Sequence, residues 1–157
     1  MSAPTAWTAR DPAAIAVDDR LPEHIMPITL QRLVMEAGAD RDFSPIHIDR
    51  EAGRASGATD AYANTILIEG LLEAAIRRWA GLNGRLREIA FTMRGFNCVG
   101  DTVAASGQVT GREAGEDGEA LVHLDVWLES HRGRTVEGTA VVAFPTAPAP
   151  GRPAAGR

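Results

Sequence analysis

The feature that most constrains the fold is a long apolar helix pattern that starts at Asn64 and is followed by strand periodicity. Asn64 is a favoured N-cap residue, and Gly81 stands just past the last apolar position. The apolar positions cover more than one face of the helix: Ile66, Leu67, Ile68, Leu71, Leu72, Ala75, Ile76 and Trp79. Such a helix cannot lie on a surface with one side in water, so the pattern predicts a mostly buried central helix.

After Gly84 the apolar period changes from that of a helix to that of a strand. Four alternating runs cover residues 89–93, 103–109, 120–128 and 136–144, with Gly-containing turns between them. Before the central helix, the sequence predicts a short strand at 28–30, a short helix at 31–37 and a helical turn at 50–56. One buried helix beside several antiparallel strands predicts an α+β fold, in which a curved sheet wraps around the helix.

Length and composition predict one globular domain with loose ends. The chain has 157 residues, of which 45% are hydrophobic, enough for a single core. Residues 1–20 are rich in Ala, Pro and Asp without periodicity and predict a flexible tail. Residues 145–157 include four prolines and predict a disordered tail. The expected folded domain is therefore residues 21–144.

Charge and cysteine content narrow the possible functions. The net charge of -5 argues against a general nucleic-acid binder. Cys98 is the single cysteine, so no internal disulfide or cysteine-based zinc site is possible, and the four histidines share no metal-ligand spacing. No apolar run is long enough to cross a bilayer, and no signal peptide is recognisable. We expect a cytoplasmic protein without metal, cofactor, membrane or nucleic-acid partner.

The segment Asp42-Phe43-Ser44-Pro45-Ile46-His47-Ile48-Asp49 carries the strongest chemical signal. It sets a carboxylate and an imidazole five residues apart in a run that contains Pro and is predicted to be a loop. A carboxylate that orients a histidine forms an acid/base pair, and a water held between them can be activated. Asp42 and His47 are therefore the candidate catalytic residues.

This segment and the order of elements resemble the MaoC-like hot-dog family, which contains R-specific enoyl-CoA hydratases and 3-hydroxyacyl-thioester dehydratases. The family pattern is Asp, any residue, Asn, Pro, an aliphatic residue, His, any residue, Asp, after a short helix with a small-residue end such as Ala37-Gly38-Ala39-Asp40. Leu21-Pro22 and Ile28-Thr29 are also similar to family members. With Asp60 and Asn64 downstream, the chain looks like the small catalytic subunits of heteromeric steroid side-chain hydratases.

The resemblance implies a hot-dog hydratase or dehydratase that acts on an acyl-CoA or acyl-carrier-protein thioester through Asp42 and His47. It also implies a homodimer, or a heterodimer with a related hot-dog subunit. Ser44 stands where the family has Asn, and Ala63-Asn64-Thr65 replaces the usual His-Gly entry to the central helix. We expect Ser44, Asn64 and Thr65 to contact the substrate, with backbone N–H groups near Asn64 and Thr65 binding the thioester oxygen.

Two other functions fit the sequence. Some hot-dog thioesterases use a carboxylate on the central helix, and Glu69 occupies such a position, although it also continues a polar stripe with Glu73 and Arg77. The replacement of the family Asn by Ser44 suggests another possibility, a non-catalytic subunit that shapes the pocket of a partner hydratase. A role for Arg50 or Arg54 on a phosphate of the acyl carrier is a further possibility.

Overall fold

A computed structural model describes residues 8–115 and 118–145 of the chain. Its helices, after a 3-10 turn at Pro12–Ala14, are α1 Leu30–Asp40, α2 Pro45–Ile48, α3 Arg50–Ala55 and α4 Thr65–Ala80. Its strands are β1 His24–Pro27, β2 Arg85–Met93, β3 Thr102–Ala114, β4 Glu119–Ser130 and β5 Gly133–Pro145. Among these residues, no helix is long and apolar enough to span a membrane.

Helix α4 has the ends that its sequence predicts. The Asn64 side chain accepts a hydrogen bond from the Leu67 N–H at 2.9 Å and so caps the first turn. At the other end Gly81 has a φ of +72°, and a Cβ built there would lie 2.2 Å from the carbonyl oxygen of Thr8. Glycine is therefore required where the chain leaves the helix.

The five strands form one antiparallel sheet in the order β1-β3-β4-β5-β2. Helix α4 contacts both edge strands, β1 and β2, as well as β3 and β4, which requires the sheet to curve around it. The helix and the concave face of the sheet share one core, whose fully buried large residues include Ile68, Leu72, Ile76, Val109, Val122, Leu124, Leu128 and Phe144. The predicted α+β architecture, a sheet wrapped around a long helix, is confirmed.

Two local predictions were wrong. The first strand is His24–Pro27 rather than 28–30, because Ile28 lies in the core after the last strand pair and Thr29 caps α1. The 42–49 segment is not entirely a loop, since Pro45–Ile48 forms the one-turn helix α2. Pro45 occupies the first helical position, where a missing N–H costs nothing. Proline was therefore a helix start here and not a helix breaker.

The N-terminal segment also differs from the prediction of a loose tail over residues 1–20. Residues 8–20 lie against the domain: Ile15 is part of the core, and the Asp18 N–H donates to the Val109 carbonyl at 2.9 Å. Arg10 stacks over the Trp79 ring at 4.7 Å. One apolar anchor and backbone hydrogen bonds produce no periodicity, which is why the sequence pattern missed this segment.

Of the predicted C-terminal tail, the structure describes only Pro145. Pro145 ends β5 and pairs with Glu119, so the predicted C-terminal tail does not begin before residue 146. Residues 1–7 and 146–157 lie outside the described residues.

Candidate active site

A cleft of about 590 Å³ opens at the N-terminal end of α4. Its walls come from α2, from the first turn of α4 with the residues before it, and from the end of β2. The lining residues are Asp42, Ile46, His47, Tyr62, Ala63, Asn64, Thr65, Ile66, Ile68, Met93, Arg94, Gly95 and Phe96. Four of the five residues predicted to carry the chemistry therefore share one cavity.

Asp42 and His47 face each other at one side of the cleft. His47 Nε2 lies 3.6 Å from Asp42 Oδ2. The histidine side chain is 10% exposed and the aspartate side chain 37% exposed, so the pair is partly shielded from water and still reachable from the cleft. A separation of 3.6 Å is too long for a direct hydrogen bond, and a small donor between the two groups can bond to both.

The other ring nitrogen of His47 fixes which face of the imidazole acts as a base. His47 Nδ1 lies 2.8 Å from the carbonyl oxygen of Tyr62, which accepts hydrogen bonds and cannot donate them. Nδ1 therefore carries the hydrogen in the neutral ring, and the lone pair is on Nε2, which faces Asp42. The Tyr62 ring also packs edge-on against the imidazole, with 5.2 Å between centroids.

The segment that carries the Tyr62 carbonyl is held on two sides. The Ala63 N–H donates to Asn97 at 3.0 Å, and the Val99 N–H donates to Ala61 at 2.8 Å. On the opposite side, Gly53 of α3 packs so closely that an added Cβ would lie 2.5 Å from the Asp60 carbonyl oxygen. These contacts fix the hydrogen-bond acceptor of His47 relative to α2.

Asp42 is set by a sharp change of chain direction at the end of α1. Arg41 ends that helix with a φ of +65°, which turns the chain toward the cleft. The Ser44 N–H donates to Asp42 Oδ1 at 3.3 Å. The Ser44 hydroxyl makes no hydrogen bond within the described residues, and Ser44 is not among the residues that line the cleft. Ser44 therefore contributes a backbone group to Asp42, and its predicted substrate contact has no support in this geometry.

Asn64 makes three hydrogen bonds and so serves two purposes. Its carbonyl oxygen caps α4, while its Nδ2 donates to Asp40 Oδ2 at 2.7 Å and to Asp42 Oδ2 at 3.1 Å. The cap was predicted. The bridge between the carboxylates was not, because residues 22 and 24 positions apart in the chain leave no spacing signal.

The start of α4 presents backbone donors to the cleft. Thr65 and Ile66 line the cavity, and no acceptor from residues 8–115 or 118–145 binds their N–H groups. The first N–H groups of a helix have no intrahelical partner and lie at the positive end of the helix dipole. This end of the cleft therefore favours a group that develops negative charge.

Two groups of residues lie elsewhere. Glu69 is half-buried on α4 and does not line the cleft. Arg50 and Arg54 both pair with Asp60, at 2.8 and 3.3 Å, so one carboxylate neutralises part of their charge. The sequence did not single out the apolar walls of the cleft, which are formed by Ile46, Tyr62, Met93 and Phe96, because they belong to three separate segments.

The other histidines have local partners. His24 Nδ1 lies 2.8 Å from an Arg78 guanidinium nitrogen, and burial, together with this positive charge, lowers the pKa of His24. His123 pairs with Glu113 at 3.0 Å on the exposed side of the sheet. In the described part of the chain, no cluster of three or more His, Cys, Asp or Glu side chains is arranged to bind a metal ion.

Comparison with known proteins gave matches in both sequence and structure. No protein-family model matches the chain. A segment of 78 residues is 33% identical to the 3-oxo-4,17-pregnadiene-20-carboxyl-CoA hydratase beta subunit of Mycobacterium tuberculosis. That segment covers 50% of this chain and 60% of the subunit, so the sequence match spans less than two thirds of the relative.

Solved structures extend the likeness to most of the chain. The ChsH1-ChsH2 complex from Mycobacterium tuberculosis contains a chain with 29% identity and a TM-score of 0.73, and the match covers 82% of this chain and 98% of that one. The (R)-hydratase from A. caviae matches with a TM-score of 0.75 at 20% identity, covering 84% and 98%. A MaoC-like dehydratase from Rhodospirillum rubrum matches with a TM-score of 0.76 at 18% identity, covering 88% and 98%. The last two matches are evidence for the fold alone.

Proposed function

Because the chain has the MaoC-like hot-dog fold and resembles hydratases of that family, we propose that it is an acyl-thioester hydratase or dehydratase. It adds water across the α,β double bond of an enoyl thioester, or removes water from a 3-hydroxyacyl thioester. The observation that carries this proposal is the pair of acceptors, Asp42 Oδ2 and His47 Nε2, 3.6 Å apart in the wall of one cleft.

The proposed reaction begins with a water that donates one hydrogen bond to each acceptor. Its oxygen lone pair then points away from Asp42 and His47 toward the β-carbon of the bound enoyl thioester. As the C–O bond forms, the pair takes one proton from the water, and this proton is passed to the α-carbon. The water thus supplies both the hydroxyl at the β-carbon and the hydrogen at the α-carbon, and the reverse sequence eliminates it.

Negative charge gathers on the thioester oxygen while the β-carbon is attacked. The N–H groups of Thr65 and Ile66, which have no acceptor among the described residues, are the donors that we assign to this oxygen. Donors that are already oriented before the reaction stabilise the developing charge without reorganisation. The electrostatic role therefore belongs to the backbone, and the Thr65 side chain is not required for it.

Exposed apolar side chains around the cleft support the expected second subunit. Phe43, Ile66, Met93 and Phe96 are all more than 40% exposed, and three of them line the cavity. We infer that a second hot-dog subunit, either another copy or a related chain, covers these side chains and completes the acyl pocket. One of the similar structures is itself a complex of two different chains.

Hydration of crotonyl-CoA tests the proposal and separates it from the thioesterase alternative. Loss of the enoyl absorbance without release of free thiol is expected. Glu69→Gln should hydrate at the wild-type rate, because Glu69 does not line the cleft. Thiol release that disappears in Glu69→Gln and survives in Asp42→Asn would instead identify a thioesterase. The assayed sample should be checked by light scattering, since a monomer would argue against the shared pocket.

A non-catalytic subunit is the second candidate, favoured by the two-chain composition of the similar complex. In that case activity appears only when the partner chain is added. Asp42→Asn and His47→Ala would then lower the rate of the complex by less than about twofold, far below the effect of losing an acid/base group.

Asn64→Ser separates the two roles of Asn64. Serine caps helices about as well as asparagine, so the melting temperature should fall less than in Asn64→Ala, which loses the cap as well as the amide. The serine hydroxyl cannot bridge Asp40 and Asp42, and we expect hydratase kcat to fall about tenfold as Asp42 loses its orientation. Kinetics and thermal unfolding of the same preparation measure both effects. Equal kcat values would contradict the positioning role, and Asn64→Ala serves as the variant that loses both functions.

A further inference from the structure

Glu36 is a buried carboxyl group for which the described residues provide no ordinary partner. Both of its carboxylate oxygens are inaccessible to solvent, and neither has a hydrogen-bond partner in residues 8–115 and 118–145. It stands one turn before Asp40 on α1, and the two carboxyl groups are in electrostatic contact, which raises the pKa of Glu36. Two carboxylates have no hydrogen to share, so this contact is a hydrogen bond only when one of the groups is protonated.

The structure indicates which of the two groups carries the proton. Asp40 accepts hydrogen bonds from the Asp42 N–H at 2.8 Å and from Asn64 Nδ2 at 2.7 Å, and these donors lower its pKa. The Glu36 oxygens have no hydrogen-bond partner among the described residues. The nearby Asn64 amide lowers the pKa of Glu36, but its hydrogens are directed at Asp40 and Asp42. Asp40 is therefore the carboxylate, and Glu36 is the acid that donates to it.

We propose that protonated Glu36 is a positioning residue for the active site. It donates to Asp40, Asp40 accepts from Asn64, and Asn64 donates to Asp42, which faces His47 in the cleft. Hydrogen bonds join Asp40, Asn64 and Asp42, and the proposed bond from Glu36 to Asp40 would extend them along α1. This inference rests on the proposed hydratase function, and it adds a residue that does not touch the cleft.

The electrostatics of the site agree with this assignment. Burial is the largest cause that raises the pKa of Glu36 to about 7, and the nearby Asp40 and Asp42 carboxylates raise it further. The charged groups that act on Glu36 are thus both negative, one on its own helix and one in the turn that follows. When Glu36 ionises, three carboxylates surround one amide that has only two hydrogens. The arrangement that holds Asp42 should loosen as the pH rises through about 7.

The free energy of unfolding also depends on whether Glu36 is protonated. From the ordinary value of 4.5 up to about 7, the folded chain holds a proton on Glu36 that the unfolded chain has lost. The free energy of unfolding therefore falls with rising pH in this window, and the penalty is fully present above it. Glu36→Gln has no such penalty, because an amide donates to Asp40 without ionising.

Carbon-13 NMR of the side-chain carboxyls, with Glu36 identified by its absence in Glu36→Gln, tests the proton directly and needs no substrate. Glu36 should titrate near pH 7, and Asp40→Asn should move its midpoint toward 4.5. The ring signals of His47 should show an inflection at the Glu36 midpoint that is missing in Glu36→Gln. A Glu36 midpoint near 4.5, or His47 signals without that inflection, would overturn the proposal.

Turnover provides the second readout. For crotonyl-CoA hydration, wild-type kcat should fall between pH 6.5 and 8.5 as Glu36 ionises, while kcat of Glu36→Gln should not fall with it.

At pH 6.5, Glu36→Leu has no donor and should show a kcat about tenfold below that of Glu36→Gln, with KM little changed. Glu129→Gln, an exposed carboxyl on β4, is the matched control and should keep the wild-type pH profile. Equal kcat for the Leu and Gln variants would refute the positioning role. No turnover in any variant, with the NMR titrations as expected, would count against the hydratase function and leave the Glu36 network supported.

Discussion

Hydration of crotonyl-CoA by His47→Ala should be slower than wild type by a factor of about 10²–10⁴ in kcat, the range that general acid–base groups contribute. The reason is geometric. The Tyr62 carbonyl holds the hydrogen of His47 on Nδ1, so the Nε2 lone pair has a fixed direction toward Asp42 and the cleft. Alanine leaves only the Asp42 carboxylate to orient and deprotonate the water. KM should change little, because the imidazole is assigned to the water and not to the thioester.

Matched variants show whether the loss is chemical. His123→Ala removes an exposed imidazole that pairs with Glu113 on the opposite side of the sheet, and it should hydrate at the wild-type rate. Asp42→Asn retains the shape of its side chain and should lose activity to a degree similar to that of His47→Ala. Unchanged activity of His47→Ala, in a sample whose melting temperature matches wild type, would eliminate the acid/base pair from the mechanism.

Gly53→Ala should destabilise the fold by about 3 kcal/mol, at the upper end of the usual cost of overpacking a core. The added Cβ would lie 2.5 Å from the Asp60 carbonyl oxygen and 2.7 Å from the Ala61 nitrogen, and both are backbone atoms that cannot rotate away. At about 2–4 °C for each kcal/mol in a chain of this size, the melting temperature should drop by about 6–12 °C. Thermal unfolding followed by circular dichroism measures this.

The same substitution elsewhere in the helices has the opposite sign. Gly70 lies in α4, and no atom of the described part of the chain is within 4 Å of a Cβ added there. Gly70→Ala should therefore stabilise the fold by about 0.5–1 kcal/mol through helix propensity. Equal melting temperatures for the two variants would show that α3 can move away from the 60–61 backbone at no cost. Where Gly53→Ala folds, hydration should also slow, because the Tyr62 carbonyl follows the displaced segment.

The sequence predicted those helices and strands whose apolar residues recur with a regular period. Helix α4 and the strands from β2 to β5 follow their apolar patterns, and the caps at Asn64 and Gly81 lie where the residue types placed them. The failures are local. Residues 8–20 are held by backbone hydrogen bonds and one buried side chain, Ile15, and such contacts leave no repeating pattern.

The candidate site was predictable only in part, for a related reason. Asp42 and His47 are close in sequence, and the motif brought them to attention. Two of their supports come from a distant segment: the Tyr62 carbonyl is 15 residues from His47 in the chain, and the Asn64 amide is 22 residues from Asp42. Backbone carbonyls and buried acids have no residue-type signature that identifies their partners. Such supports become visible only in three dimensions.

Asn64 both caps α4 and binds two carboxylates, and few other residues can do both. Serine, threonine and aspartate all cap a helix, but none carries an amide that can bind two carboxylates at once, and aspartate would add a third negative charge. Glutamine has the amide, but its longer side chain is a poor cap. Asparagine alone satisfies both demands among the common side chains. Substitution of Asn64 therefore affects the helix cap and the candidate site together. We expect changes in acyl specificity to arise instead from substitutions in the apolar walls of the cleft.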